Sequence, residues 1–240
     1  MILRRGLWAV FIVLCPLRAL AYRPFDQTDA DVAKSREIEI ELGPVAFLHE
    51  RGRNSLVPGL VLNFGFTDRL EGVLEGHAGI ALGALAPGDE RWALEPALLL
   101  KAVLREGSLQ EKDGPSIALE AGVLLPDVPG PTPAGASLAL IISQRWPAPT
   151  LHVNLMAERS REGSVDFLGG AIAEGPMDWT VRPVGEFWVA RAGDAALTSS
   201  LLGGAIWRAR EGLSFDTAIR VVPLLEQPAF ELRLGLTWTL

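Results

Sequence analysis

The amino-acid sequence predicts an all-β fold, a transmembrane antiparallel β-barrel of about twelve strands, within a range of roughly ten to fourteen. Apolar and polar side chains alternate along most of the chain, which is the period of a β-strand with two different faces. The chain is 49% hydrophobic with a mean hydropathy of +0.25, yet no apolar run after residue 21 is long enough for a membrane-spanning helix. Tryptophans also lie at the ends of predicted strands, as in the aromatic girdles of membrane barrels: Trp92, Trp146, Trp179, Trp207 and Trp238, with Trp188 near a strand end.

The N-terminus has the three parts of a secretory signal peptide. Met1 to Arg5 supply a short basic start, Gly6 to Leu17 form an apolar stretch, and Ala19 to Ala21 form a small-residue cleavage site. Cleavage there places the mature start at Tyr22 and removes Cys15, the only cysteine of the chain. The sequence therefore predicts a mature protein without disulfides or thiolate chemistry.

The chain divides into a signal peptide (1–21), a short periplasmic N-terminal segment (22–34) and the barrel (35–240). No linker rich in proline and glycine is long enough to separate further domains. The predicted strands are Glu37 to Leu42, Leu56 to Phe66, Arg69 to Leu82, Trp92 to Arg105, Ser116 to Leu125, Ala136 to Trp146, Leu151 to Glu158, Asp166 to Glu174, Thr180 to Arg191, Leu197 to Arg208, Leu213 to Val222 and Phe230 to Leu240. Pro58, Pro96 and Pro183 fall inside these strands, and we expect each to mark a bulge or a strand end because proline cannot donate to a β-ladder.

The last eight residues resemble the C-terminal signal that hands outer-membrane barrels to the insertion machinery. Arg233, Gly235, Trp238 and the terminal Leu240 carry this pattern on an alternating strand. The pattern predicts outer-membrane lipid and the barrel-insertion machinery as partners.

Alternation alone does not say which face is inside, since a soluble barrel has its apolar face inward. About twelve strands would then enclose a wide cavity that Ala, Val, Leu and Gly side chains cannot fill. An apolar exterior removes this difficulty and predicts a polar lumen. The lumen-facing set is Glu37, Glu39, Glu41, Glu71, Glu75, Glu95, Lys101, Arg105, Glu120, Arg145, His152, Glu158, Arg182, Glu186, Arg208, Asp216, Arg220, Glu231 and Arg233.

The charges of this lumen-facing set are unevenly distributed along the chain. Acids dominate the early strands and arginines the late ones, so opposed walls would create a transverse field that orients polar solutes and sets selectivity. Closure of the barrel predicts a pair between Glu39 or Glu41 and Arg233. The alternative is that the charges pair across a closed interior.

Catalysis is a lesser alternative. A hairpin through Pro147 to Pro149 would place Ser143 opposite His152, on the same face as Asn154, which is a grouping compatible with an esterase or phospholipase. No glycines flank Ser143 as an oxyanion hole would require, and no metal-ligand spacing or phosphate-binding glycine motif is present. We therefore expect neither an enzyme nor a cofactor, and the net charge of -7 argues against nucleic acid as a partner.

Three segments resemble poorly characterised outer-membrane barrels near the family labelled after the meta pathway of phenol degradation, often called transporter-like. They are Arg23 to Ala30, Leu62 to Glu71 and Pro115 to Pro126. The resemblance implies a barrel that admits small solutes, hydrophobic or aromatic compounds among them, and it identifies no functional residue. The sequence thus predicts a passive channel or transporter in the outer membrane of a Gram-negative bacterium, with a non-conducting structural barrel as the alternative.

Overall fold

The computed structural model describes residues 24–50, 53–83, 91–128, 132–223 and 228–240. The predicted signal peptide and Cys15 lie outside these residues. Within them, the chain forms thirteen strands and one short 3-10 helix, Ser108–Gln110. The strands are β1 (Ile38–Glu50), β2 (Arg53–Val57), β3 (Gly59–Thr67), β4 (Leu70–Leu82), β5 (Trp92–Arg105), β6 (Ser116–Leu124), β7 (Gly135–Arg145), β8 (Thr150–Arg159), β9 (Val165–Glu174), β10 (Val181–Ala192), β11 (Thr198–Arg210), β12 (Leu213–Val222) and β13 (Ala229–Thr239).

The strands form one closed antiparallel barrel. From β4 to β13, each strand pairs with the next strand in the chain, and β13 pairs with β1 to close the sheet. β2 and β3 both lie between β1 and β4 and are interrupted only at Pro58, so they are two halves of one strand. The barrel therefore has twelve strands, which confirms the predicted fold class and the expected break at Pro58.

The two faces of the wall differ as the alternation predicts. In β11, Leu201 is 60% exposed on the outside while its neighbour Leu202 is 2% exposed. The same alternation places leucines, valines and phenylalanines on the exterior of nearly every strand. Among the described residues, no helix is long and apolar enough to cross a membrane.

A bulge in β1 changes the register at the closure. Glu39 lies opposite Thr239 and Glu41 opposite Thr237, but the register shifts between Leu42 and Val45, so Arg233 lies opposite Ala46. Thr239 and Thr237 are six and four positions from Arg233, which is about 20 Å and about 14 Å along a strand at about 3.4 Å per residue. The predicted pair between Glu39 or Glu41 and Arg233 is therefore wrong.

Pro96 and Pro183 each lie one residue beyond a ladder. The β5–β6 ladder ends at Ala97, next to Pro96, and the β10–β9 ladder begins at Val184, next to Pro183. Each proline thus lies just beyond the end of one of its two ladders, where its missing N–H costs little. In the ladder with the other neighbouring strand, the proline is still paired. The expectation of a strand end is therefore confirmed for only one of the two ladders that each proline adjoins.

The tryptophans divide between the two faces. The barrel end at which Ile38 and Thr239 lie is called the terminal rim below. Tryptophans exposed on the exterior by 43–52% are Trp92, Trp146, Trp179, Trp207 and Trp238, and all but Trp92 lie near the terminal rim. Trp188 is 9% exposed and faces the lumen, so its predicted place near the exterior girdle is wrong.

Candidate functional site

Residues 24–34, called the inner segment below, run inside the barrel. The sequence predicts a short periplasmic segment over residues 22–34 that is at most a small plug, and the described part of it lies within the lumen, bonded to the wall through both backbone and side chains. It leaves the lumen at the terminal rim, where the backbone N–H of Arg36 donates to the carbonyl of Gly65. The lumen is thus partly occupied by the protein's own chain.

Asp26 is held by three donors of the wall. Its carboxylate accepts a hydrogen bond from Trp188 Nε1 at 2.8 Å, lies 2.7 Å from Arg233 Nη2, and forms an ion pair with Arg220. Glu231 completes the cluster, 3.1 Å from Arg220 Nη1 and 2.7 Å from Arg233 Nη2. Burial raises the pKa of Asp26, but the two guanidinium groups outweigh it and hold this pKa below its usual value.

The backbone of the inner segment is bonded to polar side chains of the wall. The carboxylate of Glu186 accepts hydrogen bonds from the N–H groups of Asp26 (3.1 Å) and Gln27 (3.0 Å). Asn154 accepts from the N–H of Thr28 at 3.3 Å and donates to its carbonyl at 2.8 Å. These contacts satisfy main-chain groups that the segment would otherwise leave unpaired in the lumen.

A chain of four side chains lies behind Ala30. The N–H of Ala30 donates to Ser143 Oγ at 2.9 Å, and Ser143 Oγ lies 2.8 Å from His152 Nδ1. His152 Nε2 is 3.1 Å from Glu174 Oε1, and Arg182 Nε donates to Glu174 Oε2 at 2.7 Å. Neutral His152 satisfies every one of these bonds if Ser143 donates to Nδ1 and Nε2–H donates to Glu174. The chain therefore positions Ser143 as an acceptor for the inner segment.

The register of β7 and β8 confirms that Ser143 lies opposite His152, as the hairpin predicts. Ser143 is 0% exposed and His152 1% exposed, and neither lines the lumen cavity described below. The histidine nitrogen facing Ser143 is Nδ1, and the serine oxygen already accepts a bond from Ala30. The arrangement thus holds the inner segment at Ala30.

Apolar side chains of the inner segment fill two depressions of the wall. Phe25 packs into lumen-facing residues of β9 to β12, namely Ile172, Val184, Leu202, Ile206 and Ala218. Ala30 is fully buried against Leu109, Ala118, Ala139 and Ile141. Gly170 makes room for Gln27, because a Cβ there would lie 2.4 Å from the Gln27 side-chain nitrogen. The wall is therefore shaped to the segment on this side.

A cavity of about 1520 Å³ lies beside the inner segment and is lined by residues of the segment and of both sides of the wall. Acids dominate the part of its lining formed by β1 to β6: Glu39, Glu41, Glu71, Glu75 and Glu120. Lys101 lies among them, 3.7 Å from Glu71 and 3.6 Å from Asp29 of the segment. Asp29 and Asp31 of the segment line the same space, so the cavity is mainly acidic on this side.

Most residues predicted to line the lumen border this cavity. Those that line it are Glu37, Glu39, Glu41, Glu71, Glu75, Lys101, Glu120, Arg145, Arg182, Arg208, Arg220, Glu231 and Arg233. His152, Glu186 and Asp216 also face inward and are 1–6% exposed. His152 is hydrogen-bonded to Ser143 behind the inner segment, and Glu186 accepts a hydrogen bond from the segment itself. Asp216 lies over Gly235, where a Cβ would come within 2.4 Å of the Asp216 carboxylate.

Acidic and basic side chains line the same cavity, and three arginines of the basic wall are engaged by acids. On the basic side, Arg220 and Arg233 are engaged by Asp26 and Glu231, and Arg182 by Glu174. The acidic side borders the cavity and has Lys101 among its acids. The positive side of the predicted transverse field is therefore compensated at Arg182, Arg220 and Arg233, while Arg145 and Arg208 also line the cavity.

Comparison with solved structures identifies an outer-membrane channel as a structural neighbour. The COG4313 outer membrane channel from Pseudomonas putida F1 superposes with a TM-score of 0.69 at 10% identity, over 90% of this chain and 100% of that chain. The chain has that channel's fold. The translocator domain of the autotransporter NalP from Neisseria meningitidis is more distant, with a TM-score of 0.42 at 10% identity over 84% of this chain and 86% of that one.

No family model and no curated protein matches the chain. The resemblance to the family labelled after the meta pathway therefore stays a prediction, and the solved channel supports the barrel fold. At 10% identity the likeness concerns the fold and carries no residue roles.

Sequence reasoning missed four residues of the site. Phe25 and Asp26 lie before the first strand, where no periodicity indicates their location. Trp188 and Glu174 both have the parity of lumen-facing residues, so the alternation of β9 and β10 could have identified them. In the described part of the chain, no group of His, Cys, Asp and Glu could hold a metal ion.

Proposed function

We propose that the protein is a channel of the bacterial outer membrane that lets small solutes pass beside the inner segment. The observation that carries the proposal is the cavity of about 1520 Å³, which is lined by charged side chains and is not filled by packing. The apolar exterior and the exposed tryptophans near the terminal rim support placement in a bilayer. The fold shared with an outer-membrane channel supports the same reading.

The lining predicts that conduction with the segment in place favours cations. Glu39, Glu41, Glu71, Glu75 and Glu120 border the cavity, whereas three arginines of the other wall, Arg182, Arg220 and Arg233, are engaged by acids. Rings and walls of carboxylates attract cations and exclude anions in membrane pores. Small polar or cationic solutes are thus the class that this cavity would pass most readily.

Planar-bilayer recording of the purified, folded protein tests the proposal. We expect discrete conductance in KCl and a reversal potential in a salt gradient that indicates preference for K⁺ over Cl⁻. Glu120→Gln removes a cavity-lining charge, which in water at about 4 Å attracts a cation by about 1 kcal/mol. The preference for K⁺ should fall by a factor of up to about five.

Glu162→Gln is the matched control because Glu162 is exposed and does not line the cavity. Its selectivity should equal that of the unmodified protein. Absence of both single-channel conductance and solute flux into liposomes would remove the channel proposal. Equal selectivity of Glu120→Gln and Glu162→Gln would remove the acidic wall from the conducting path.

The second candidate is a non-conducting structural barrel. The observation that favours it is the number of wall side chains engaged by the inner segment, which include Glu186, Asn154, Ser143 and Arg233. A structural barrel would show no conductance either with the segment seated or after its contacts are removed. We also propose that the chain is not a hydrolase, and Ser143→Ala should leave any ester turnover of the purified protein unchanged.

A further inference from the structure

We propose that the wall site holding Phe25 and Asp26 recognises small amphipathic carboxylates, and that such an acid competes with the inner segment for this site. Phe25 and Asp26 together present an aromatic ring and a carboxylate to one region of the β9–β13 wall. The segment thus occupies the site in the manner of an internal ligand. The inference names a ligand of the wall of the proposed channel, distinct from the ions that the channel conducts, and rests on that function.

The carboxylate half of the site is a set of three converging donors. Arg233 is 3% exposed and lies 2.7 Å from the Asp26 carboxylate, and Trp188 is 9% exposed and donates to it at 2.8 Å. Arg220 pairs with the same carboxylate, and its guanidinium stacks on the Trp188 ring at 5.0 Å. Two guanidinium groups and an indole N–H are suited to a planar carboxylate.

The apolar half adjoins the donors. Phe25 is 7% exposed, and the side chains around it come from four consecutive strands, β9 to β12. Ala218 of this pocket is paired with Arg233 in the β12–β13 ladder, so the apolar part and the basic part of the site lie side by side on neighbouring strands. A ligand with an apolar body next to a carboxylate would satisfy both parts, whereas a small inorganic anion would use only one.

The neighbouring acids set how strongly a free ligand can bind. Glu231 offsets one of the two guanidinium charges, and Asp26 offsets the other. Glu186 lies close by, where the N–H groups of Asp26 and Gln27 donate to its carboxylate. A free carboxylate would replace the Asp26 side chain but not these backbone donors, so we expect weak binding to the unmodified protein and tighter binding when Asp26 is neutral.

Access to the site is through the cavity. Phe25, Asp26, Arg220 and Arg233 all line the space of about 1520 Å³ beside the segment. A solute in the cavity therefore meets the site at its edge. Binding can be measured in detergent solution, independently of conductance, so failure of this inference is distinguishable from failure of the channel proposal.

Isothermal titration of the folded, full-length protein with 3-phenylpropanoate tests the inference. We expect Asp26→Asn to bind this acid at least tenfold more tightly than the unmodified protein does, because the internal competitor is removed. At equal ionic strength, acetate, inorganic phosphate and the neutral 3-phenylpropanamide should bind Asp26→Asn at least tenfold more weakly. Equal binding of any of the three, or no binding of 3-phenylpropanoate to Asp26→Asn, would overturn the proposal.

Variants of the donors and of the segment complete the test. Adding Arg220→Gln or Arg233→Gln to Asp26→Asn should abolish binding, and retention of binding in either folded double variant would overturn the proposal. Gln27→Cys reports on displacement, because Gln27 is 8% exposed and the mature chain is expected to have no other cysteine. Saturating 3-phenylpropanoate should speed maleimide labelling of this cysteine at least tenfold, whereas 3-phenylpropanamide should not. An unchanged rate with the acid would contradict the competition.

Discussion

The carboxylate of Asp26 and the guanidinium of Arg233 lie 2.7 Å apart and join the inner segment to the strand that closes the barrel. Arg233 also donates to the carbonyl of Pro24 at 2.8 Å, so one side chain of β13 contacts two residues of the segment, Pro24 and Asp26. Because β13 pairs with β1, the segment, the first strand and the last strand meet in one region of the wall. Seating of the segment is therefore connected to closure of the barrel.

Asp26→Asn should loosen the inner segment. The Asp26 side chain is 25% exposed and bonded to two guanidinium groups, and loss of such charged bonds costs about 2 kcal/mol, or roughly a 30-fold increase in the released population. Hydrogen exchange at the N–H of Gln27 and Ala30 should accelerate accordingly, and open-channel conductance should rise. Asp113→Asn, at an exposed turn, is the control and should change neither. Protection equal to that of the unmodified protein in Asp26→Asn would show that backbone contacts alone hold the segment.

Phe25→Ala should release the segment without disturbing the wall. The Phe25 ring is buried among apolar side chains, and truncation of a buried phenylalanine costs about 3 kcal/mol or more. We expect faster exchange of the Gln27 N–H, with the denaturant midpoint of the barrel nearly unchanged. Phe66→Ala is the matched control, since Phe66 is 52% exposed on the outer face. Unchanged exchange in Phe25→Ala would exclude the apolar pocket as an anchor.

The strands could be predicted from sequence because a barrel wall has one repeated constraint. Every strand separates an apolar exterior from an interior of mixed polarity, so a period of two holds from β1 to β13. The pairing of neighbouring strands then placed Ser143 opposite His152 correctly. Local pattern and short hairpins were sufficient for this part of the architecture.

The predictions that failed depend on long-range geometry. The pair of Glu39 or Glu41 with Arg233 followed from the first strand lying beside the last, but the stagger of the two strands sets Glu39 opposite Thr239 and Arg233 opposite Ala46, and the bulge after Leu42 contributes one residue of this offset. The inner segment carries no periodicity, and its location follows from contacts with residues far along the chain, such as Glu186. Sequence therefore indicates which residues face inward, but not what fills the interior.

Gly170→Ala should disturb the packing of the segment against β9. A Cβ at Gly170 would lie 2.4 Å from the Gln27 side-chain nitrogen and 2.5 Å from the carbonyl oxygen of Phe187, and the second atom cannot move aside readily. We expect a lower denaturant midpoint in lipid vesicles and faster exchange of the Gln27 N–H. Gly203→Ala is the control, because a Cβ there meets nothing within 4 Å, and it should be neutral or slightly stabilising. Equal midpoints for the two variants would refute this account of Gly170.

Asp31→Asn should seat the segment more firmly at neutral pH but not in acid. Burial and the nearby Asp29 carboxylate raise the pKa of Asp31 to about 6 from its ordinary value of 3.8, while hydrogen bonds from Gln110 and Val32 act in the opposite direction. A raised carboxyl pKa gives a stabilising contribution that is complete below the ordinary value and is lost as the pH rises through about 6. Asparagine retains the acceptor oxygen without the charge. After correction for intrinsic rates, exchange of the Ala30 N–H at pH 7.5 should therefore be slower in Asp31→Asn than in the unmodified protein. At pH 3.5 the two exchange rates should be equal. Asp113→Asn should match the unmodified protein at both values. A difference between Asp31→Asn and the unmodified protein that is the same at both pH values would mean that the charge of Asp31 does not oppose seating.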